Sequence, residues 1–517
     1  MSESSAATGA APTASANRLA ITIFVTVAAL MQSLDTTIAN IALPYMQGSV
    51  SASQDEIEWV LTSYIVAAAI MTPAAGFLTG RFGIKRVFLV SVAGFTAASM
   101  LCGLSQSLVQ IVLFRLLQGV FGAALIPLSQ SVLMNIYPRE RQGSVMALWT
   151  MSIMAGPVLG PVLGGWLTQA FSWRYVFFIN LPVGIAAFLG MRAFLPNIAG
   201  NAAAKLDWFG FGALSVAIAA FQLFIDRGQE LDWFSSKEIL LEAVVAAAAL
   251  YLFIVHTFTA KAPFVRPSLF KDRNFTAGAV FGIIVGLTYY SSLALQPPFL
   301  QNLMNYPVVT AGLTLGPRGI GTIGSMMVMG RLVGKVDTRL LIGTGLGVTA
   351  WTFYAMSGWT PDVSQVTIIG IGVIQGVGLG FISVPLNVAT LTTLSADARP
   401  EGAGLATLLR NMGSSVGIST VTTLLTRNTQ VNHAAIGAHV TAVNRGFADP
   451  DIARFWNPLT AIGRAALDAV ITRQAQIIAY MDDFKLLMFA TLAVLPLLAV
   501  FTKPRGAPAP EHAMAVE

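Results

Sequence analysis

This sequence predicts an all-α integral membrane protein, built as two six-helix bundles with two further membrane helices inserted between them. Three features support that fold class. Of the 517 residues, 55% are hydrophobic and only 10% charged, against roughly 25% charge in soluble domains. About fourteen apolar runs reach the ~20 residues that cross ~30 Å of hydrocarbon. The later part of the chain also repeats the earlier part at a nearly constant offset.

In order, the runs are 19–44, 57–80, 86–105, 108–134, 143–170, 174–195, 208–226, 238–258, 276–300, 308–331, 338–358, 364–390, 401–426 and 485–502. Lipid offers backbone N–H and C=O groups no partner, so spanning segments are helices or closed barrels. The runs lack the ten-residue alternation of barrel strands, which leaves helices. The first run is no cleaved leader, because it is long, holds Asp35 and shows no small-residue cleavage pattern.

Orientation follows from the basic residues. Loops on one side include "RFGIKR" (81–86), "YPRER" (137–141), "KAPFVRPSLFKDR" (261–273) and "RLVGKVDTR" (331–339). About 18 Lys and Arg fall on that side against about 3 on the other, which makes it cytoplasmic and puts both termini there. The net charge of +6 comes mostly from these loops, so it marks topology and not a nucleic-acid surface. One cysteine, Cys102, excludes an intrachain disulfide. Four scattered histidines without ligand spacing give a metal site no support.

The internal repeat organises the chain. "QGV" at 118–120 recurs at 375–377, Gly156 and Gly160 recur as Gly413 and Gly417, and Pro44 has a counterpart in Pro298. The offsets are about 254 to 258 residues, whereas six helices fill only about 195; the remainder, 200–258, holds the two inserted spans. The expected organisation is a disordered cytoplasmic start (1–17), a first bundle (18–199), the inserted pair (200–260) and a second bundle (261–503). The second bundle includes an outside loop, 429–484, whose end "NPLTAIGRAALDAVITRQAQIIAYMDDF" (457–484) reads as an amphipathic extension into the last span. A disordered tail (504–517) closes the chain. Parallel repeats of this kind let two bundles rock about a central site.

Several stretches resemble one family. "LDTTIANIALP" in the first span, "FRLLQGVFGAALIPLSQ" (114–130) in the fourth, "AGPVLGPVLGGWL" (155–167) in the fifth, "WRYVFFINLPVGI" (173–185) opening the sixth and "DRGQELDWFSS" (226–236) between the inserted spans come in the order found in one group. They are similar to the fourteen-helix drug:proton antiporters of the major facilitator superfamily, in their EmrB-type branch. The resemblance implies the major facilitator fold, multidrug efflux from the bacterial inner membrane driven by the proton motive force without a cofactor, and a periplasmic adaptor protein and outer-membrane channel as partners. One position departs: Gly80 stands where the loop after the second helix usually carries an aspartate. The resemblance gives that aspartate a latching role, which this chain cannot reproduce with the same residue.

A charge inside the bilayer costs at least about 2.5–3.5 kcal/mol and is a functional candidate by default. Asp35, Arg115, Arg318 and Arg410 are such charges. Asp35 near Arg115 predicts a proton-coupling pair; a fixed pair that only holds helices together is the competing reading. Arg115 has no charged counterpart, since the repeat offset takes it to Gly372. Arg318 and Arg410 are candidates for acidic groups of a substrate, or for backbone carbonyls. Gln32, Tyr64, Gln118 and Trp149 are expected to line a binding cavity in the first half. Tyr289, Tyr290, Gln296 and Asn387 are expected to do so in the second.

Gly156, Gly160 and Gly164 recur every four residues beside Pro157 and Pro161. That face admits close approach of another helix, either as a packing seam or, as expected here, as a gate between the bundles. Gly76, Arg81, Gly83 and Arg86 form a basic tight turn read as a conformational latch. No constellation of His, Ser or paired carboxylates shares one depth, so an enzyme is not expected. The expected activity is proton-coupled export of hydrophobic or amphipathic toxic compounds, with export of one endogenous metabolite or lipid as the alternative. A sensor or scaffold that transports nothing is the reading from another class.

Overall fold

The computed structural model describes residues 11–197, 205–440, 455–457 and 459–501. The tail expected at 504–517 and residues 441–454 of the outside loop lie outside them. So do residues 1–10, while Ala11–Asn17, expected to be disordered, form the start of the first helix.

Among the described residues, eighteen α-helices follow the predicted runs: α1 (Ala11–Val50), α2 (Gln54–Met71), α3 (Ala74–Phe82), α4 (Ile84–Leu104), α5 (Leu108–Gly122), α6 (Leu125–Ile136), α7 (Arg139–Ala170), α8 (Tyr175–Phe178), α9 (Asn180–Phe194), α10 (Trp208–Arg227), α11 (Lys237–Thr259), α12 (Arg273–Pro298), α13 (Val308–Leu315), α14 (Arg318–Leu332), α15 (Thr338–Met356), α16 (Gln365–Thr392), α17 (Arg399–Ala438) and α18 (Ala461–Ala493). Several of them start at side-chain caps. Ser53 and Glu56 form a capping box before α2, and Ser107, Asp207, Asp272 and Ser364 each accept a backbone N–H of the turn they open. Among the described residues, nine helices are long and apolar enough to cross a membrane. The number is eleven if two bent pairs count as one span each, Glu56–Met71 with Ala74–Phe82 at 55° and Arg139–Pro157 with Val162–Ala170 at 44°. The three remaining predicted spans are helical too, as α13 with α14, α15 and α17, but are richer in Gly, Thr and charge.

The expected last span, 485–502, is corrected. Its helix begins at Ala461 and runs unbroken to Ala493, taking in 461–484, the stretch expected as an amphipathic extension. α17 likewise continues to Ala438. Both extensions interleave polar and charged residues with apolar ones, so an apolar-run reading stops short.

Helices α1 to α9 pack among themselves, as do α12 to α18, giving two groups. The inserted α10 bridges them by packing against α2 and α17: Gln222 Nε2 donates to Ser415 Oγ at 3.0 Å and Ser419 Oγ to the Ile225 carbonyl at 3.1 Å. Direct contact between the groups joins α7 to α14 and α16, and α17 to α3 and α6. These contacts gather at the end of the molecule that carries the basic loops. A Cβ on Gly76 would stand 2.6 Å from the Cα of Glu401, and one on Gly143 would stand 2.9 Å from the Cβ of Val333. Arg399 donates to the Met134 carbonyl at 3.0 Å and to Asn135 Oδ1 at 2.7 Å.

Candidate functional site

The break between α1 and its neighbours is filled by one polar cluster. Asp35 sits mid-way along α1 with no exposed surface, and Arg115, on α5, is equally buried. Arg115 Nη1 donates to Asp35 Oδ2 at 2.7 Å, Gln118 Nε2 to Oδ1 at 2.8 Å, and Asn180 Nδ2 to Oδ1 at 2.9 Å. Both carboxylate oxygens are thereby bonded, by three donors from α5 and the start of α9, and charge-assisted bonds of this kind are the strong ones. Arg115 and Gln118 are three residues apart, so they project from one face of α5.

The guanidinium has other partners in place. Its Nε donates to the Val60 carbonyl at 3.1 Å, Nη1 also meets Gln118 Oε1 at 2.8 Å, and its Cζ stands 4.3 Å from the centre of the Tyr64 ring. Asn180 is itself anchored, donating to Ser99 Oγ at 2.9 Å. Breaking a buried pair by removing one partner costs about 3–5 kcal/mol, and the spare acceptors around Arg115 lower what is lost if Asp35 becomes neutral. Asn180 was not singled out in the sequence, although it lies in the quoted "FINLP" stretch; a neutral amide carries no compositional signal.

The glycine face of α7 holds this cluster from behind. A Cβ on Gly156 would meet Ser33 Oγ at 2.4 Å, on Gly160 Thr37 Oγ1 at 2.2 Å and on Gly164 Ile38 Cγ1 at 2.9 Å. Ser33 and Thr37 donate to the carbonyls of Ile153 and Gly156 at 2.7 and 3.1 Å. The expectation of a gate between the bundles at these glycines is therefore corrected: they pack α7 onto α1 inside the first group and flank the segment bearing Asp35. Their copies do the same in the second, where Gly413 and Gly417 press on the carbonyls of Ile283 and Leu287 of α12. Pro157 lies at the 44° bend in α7, and the Pro161 side chain lies outside the described ones. The small residues between the groups are Gly76, Gly143, Gly330 and Gly404 instead.

Around the basic turn, Gly83 takes φ +83°, the region glycine favours. Arg81 stacks on Phe82 at 5.5 Å and Arg86 is exposed. Gly80 has open space beside it. In place of the missing aspartate, Glu401 seats its backbone on Gly76, and its carboxylate takes Arg266 Nε at 2.6 Å while Asp397 takes Arg266 Nη1 at 3.2 Å. A Ser395 hydrogen bond first, and Arg266 after it, hold the Asp397 carboxyl below its usual value.

The remaining predicted residues separate. Gln32 accepts the Ile126 N–H at 3.1 Å, at the break between α5 and α6. Trp149 is packed in the core with its indole N–H on Ser129 Oγ at 2.7 Å. Asn387 reaches across the groups to Thr150 Oγ1 at 3.4 Å. Arg410 keeps a buried Nε without a hydrogen bond. Arg318, Gln296 and Tyr289 come together: Arg318 Nη2 donates to Gln296 Oε1 at 2.9 Å and to Gln375 Oε1, with its Cζ 5.6 Å from the Tyr289 ring. Tyr290 meets Tyr289 edge to face at 5.5 Å. Among the described residues no carboxylate lies within ion-pair distance of Arg318, and none of the His, Cys, Asp and Glu residues cluster for a metal.

Two packed groups of membrane helices, with the sequence of one repeated in the other, are the architecture of many secondary transporters. The comparisons give the family. The model of the Major Facilitator Superfamily matches residues 25–418. The fatty acid resistance protein FarB of Neisseria gonorrhoeae is 38% identical over 81% of this chain and 83% of its own. The multidrug export protein EmrB of Escherichia coli (strain K12) is 33% identical over 96% and 98%. Among solved structures, the human organic anion transporter MFSD10 (TETRAN) shares the fold at a TM-score of 0.60 and 13% identity, over 93% of this chain and 99% of that one. The chain belongs to the Major Facilitator Superfamily and is a multi-pass membrane protein of its EmrB-related branch.

Proposed function

We propose that the chain is a proton-driven antiporter that exports hydrophobic or amphipathic compounds by alternating access. The observation that carries this reading is the Asp35–Arg115 pair, sealed at membrane depth and held at 2.7 Å. An ionised Asp35 needs Arg115; a protonated one releases it to the Val60 carbonyl, Gln118 and the Tyr64 face. Proton uptake thus exchanges one set of helix contacts among α1, α2 and α5 for another, and a ligand that prefers one set is coupled to the proton. Because both side chains are sealed here, proton exchange belongs to another arrangement of the two bundles.

The gathering of contacts at the basic end supports an outward-open arrangement, with that end, both termini and the loops at 81–86 and 331–339 in the cytoplasm of a bacterial inner-membrane protein. No cofactor is needed; the proton motive force drives export. The paired extensions of α17 and α18 beyond the opposite end are the surface offered to a periplasmic adaptor protein and, through it, an outer-membrane channel. A second reading, an anionic amphiphile as cargo, draws on Arg318, a buried cation with only neutral oxygens around it, and on a relative named for fatty acid resistance.

The test is expression in an efflux-deficient bacterium challenged with a panel of hydrophobic compounds. Expected is increased tolerance that a protonophore abolishes; tolerance equal to the empty vector for every compound, or insensitivity to the protonophore, sinks the reading.

A further inference from the structure

The last helix carries a buried acid that the scheme above does not use. Asp483 of α18 is 1% exposed, and its Oδ2 has no hydrogen bond. Among the described residues no Lys, Arg or His pairs with it. α18 buries Tyr480, Phe484 and Leu487 in one cluster with Phe299, Trp359 and Val421. Trp359 stacks near Phe299 at 5.8 Å and near Phe484 at 5.9 Å, and its own indole N–H is also buried without an acceptor. The titratable neighbours are Tyr480 and the half-exposed Asp482, which Lys485 meets at 3.3 Å. A carboxylate with neither a donor nor a cation in such a place costs several kcal/mol, more than taking up a proton, so the group is carried as the neutral acid.

Like Asp35, Asp483 lies well inside its helix. Asp483 lies ten residues before Ala493, where α18 ends, about 15 Å along it, and a 3-10 turn, Leu495–Val500, leads on to Phe501, whose carbonyl receives Arg339 at the basic end. Asp35 lies seventeen residues after Arg18, whose carbonyl receives Tyr137 Oη at the same end, or about 25 Å. Each group of helices thus buries an acid well inside one of its helices, Asp35 with both oxygens bonded and Asp483 with its Oδ2 bare.

We propose that Asp483 is a second proton-binding site of the transport cycle, neutral while α18 is packed into this cluster and ionised when that packing opens. Asp482, one residue away and half in solvent, gives the proton a short exit. This rests on the antiport reading, and the experiment separates the two. Purified parent and Asp483→Asn proteins are reconstituted, and the proton-to-substrate ratio is read from the membrane potential that nulls transport. In parallel, the infrared band of protonated carboxyls is compared at neutral pH, with Asp483→Leu as a second variant should the first fail to fold.

Expected is a ratio lower by one proton in the variant, and a carboxyl band present in the parent and missing from the variants. An unchanged ratio, or a band that survives both substitutions, overturns the proposal. A parent that moves no protons defeats the antiport reading and the transport half of the proposal together, while the infrared comparison still decides whether Asp483 holds a proton.

Discussion

The two bundles solve the same packing problem with opposite electrostatics. The offset of 257 residues that takes Gln118 to Gln375 takes Asp35 to Ser292 and Arg115 to Gly372. In both, a guanidinium ends beside the equivalent glutamine and the residue at the Asp35 level. Arg115 arrives from α5, however, while Arg318 arrives from the start of α14, on the other side of the site. The first bundle neutralises its cation with a carboxylate; the second offers only Ser292, Gln296 and Gln375 oxygens. Duplication has kept the glycine seams and the amide, which are packing, and let the charges diverge.

That contrast can be broken most directly by removing each cation in turn. Arg115→Leu leaves a buried carboxylate without its partner and is expected to cost about 3–5 kcal/mol, read as a large drop in the thermal midpoint of the purified protein. Arg318→Leu leaves only neutral groups and is expected to change stability by less than about 1 kcal/mol, in either direction. Equal losses would erase the distinction between the bundles.

A smaller effect sharpens the packing half of the comparison. Gly160→Val must push Thr37 aside, at about 1–3 kcal/mol, because a Cβ there stands 2.2 Å from Thr37 Oγ1. Gly417→Val in the second bundle is expected to cost a similar amount against the Leu287 carbonyl, 2.4 Å away. Gly165, with nothing within 4 Å, serves as the control: Gly165→Ala is expected to be neutral or to add up to about 1 kcal/mol of helix stability.

The smallest effect is at the base of the inserted pair. Burial pushes the Asp207 carboxyl up, but the N–H groups of Gly210 and Phe264 and the His256 ring outweigh it and hold the group below its usual value. A carboxyl lowered on folding stabilises above its unfolded value, and that contribution is lost as pH falls through the folded one. Asp207→Asn should therefore lower the thermal midpoint slightly at neutral pH, and the gap to the parent should close in acid; a gap that widens in acid would contradict the assignment.

Much of this was legible in the sequence, for physical reasons. Apolar runs of spanning length cannot be anything but helix or barrel in lipid, so each predicted span has its helix. Asp35 and Arg115 stood out because charge in an apolar run is costly. Asn180, Ser292 and Gln375 did not, since a neutral amide or hydroxyl is cheap enough to be common. Asp483 did not stand out because it lies in the amphipathic extension before the last span, where an acid is ordinary, although α18 carries it unbroken into the bundle. The α7 glycines declared close approach, but periodicity does not say which helix approaches, and the partner proved to be α1. Gly330, which does lie between the bundles, is the repeat copy of Gly76 at an offset of 254 residues, whereas Gly143 has no such copy.

The central claim is that Asp35 exchanges a proton as the bundles rearrange. It is tested most directly by reconstituting parent and Asp35→Asn proteins side by side and recording lumenal pH as substrate is added, with substrate counterflow as the check that the variant still binds and moves its cargo. The account predicts substrate-driven proton movement in the parent and none in the variant, with counterflow retained. Proton movement of equal size in both would contradict it.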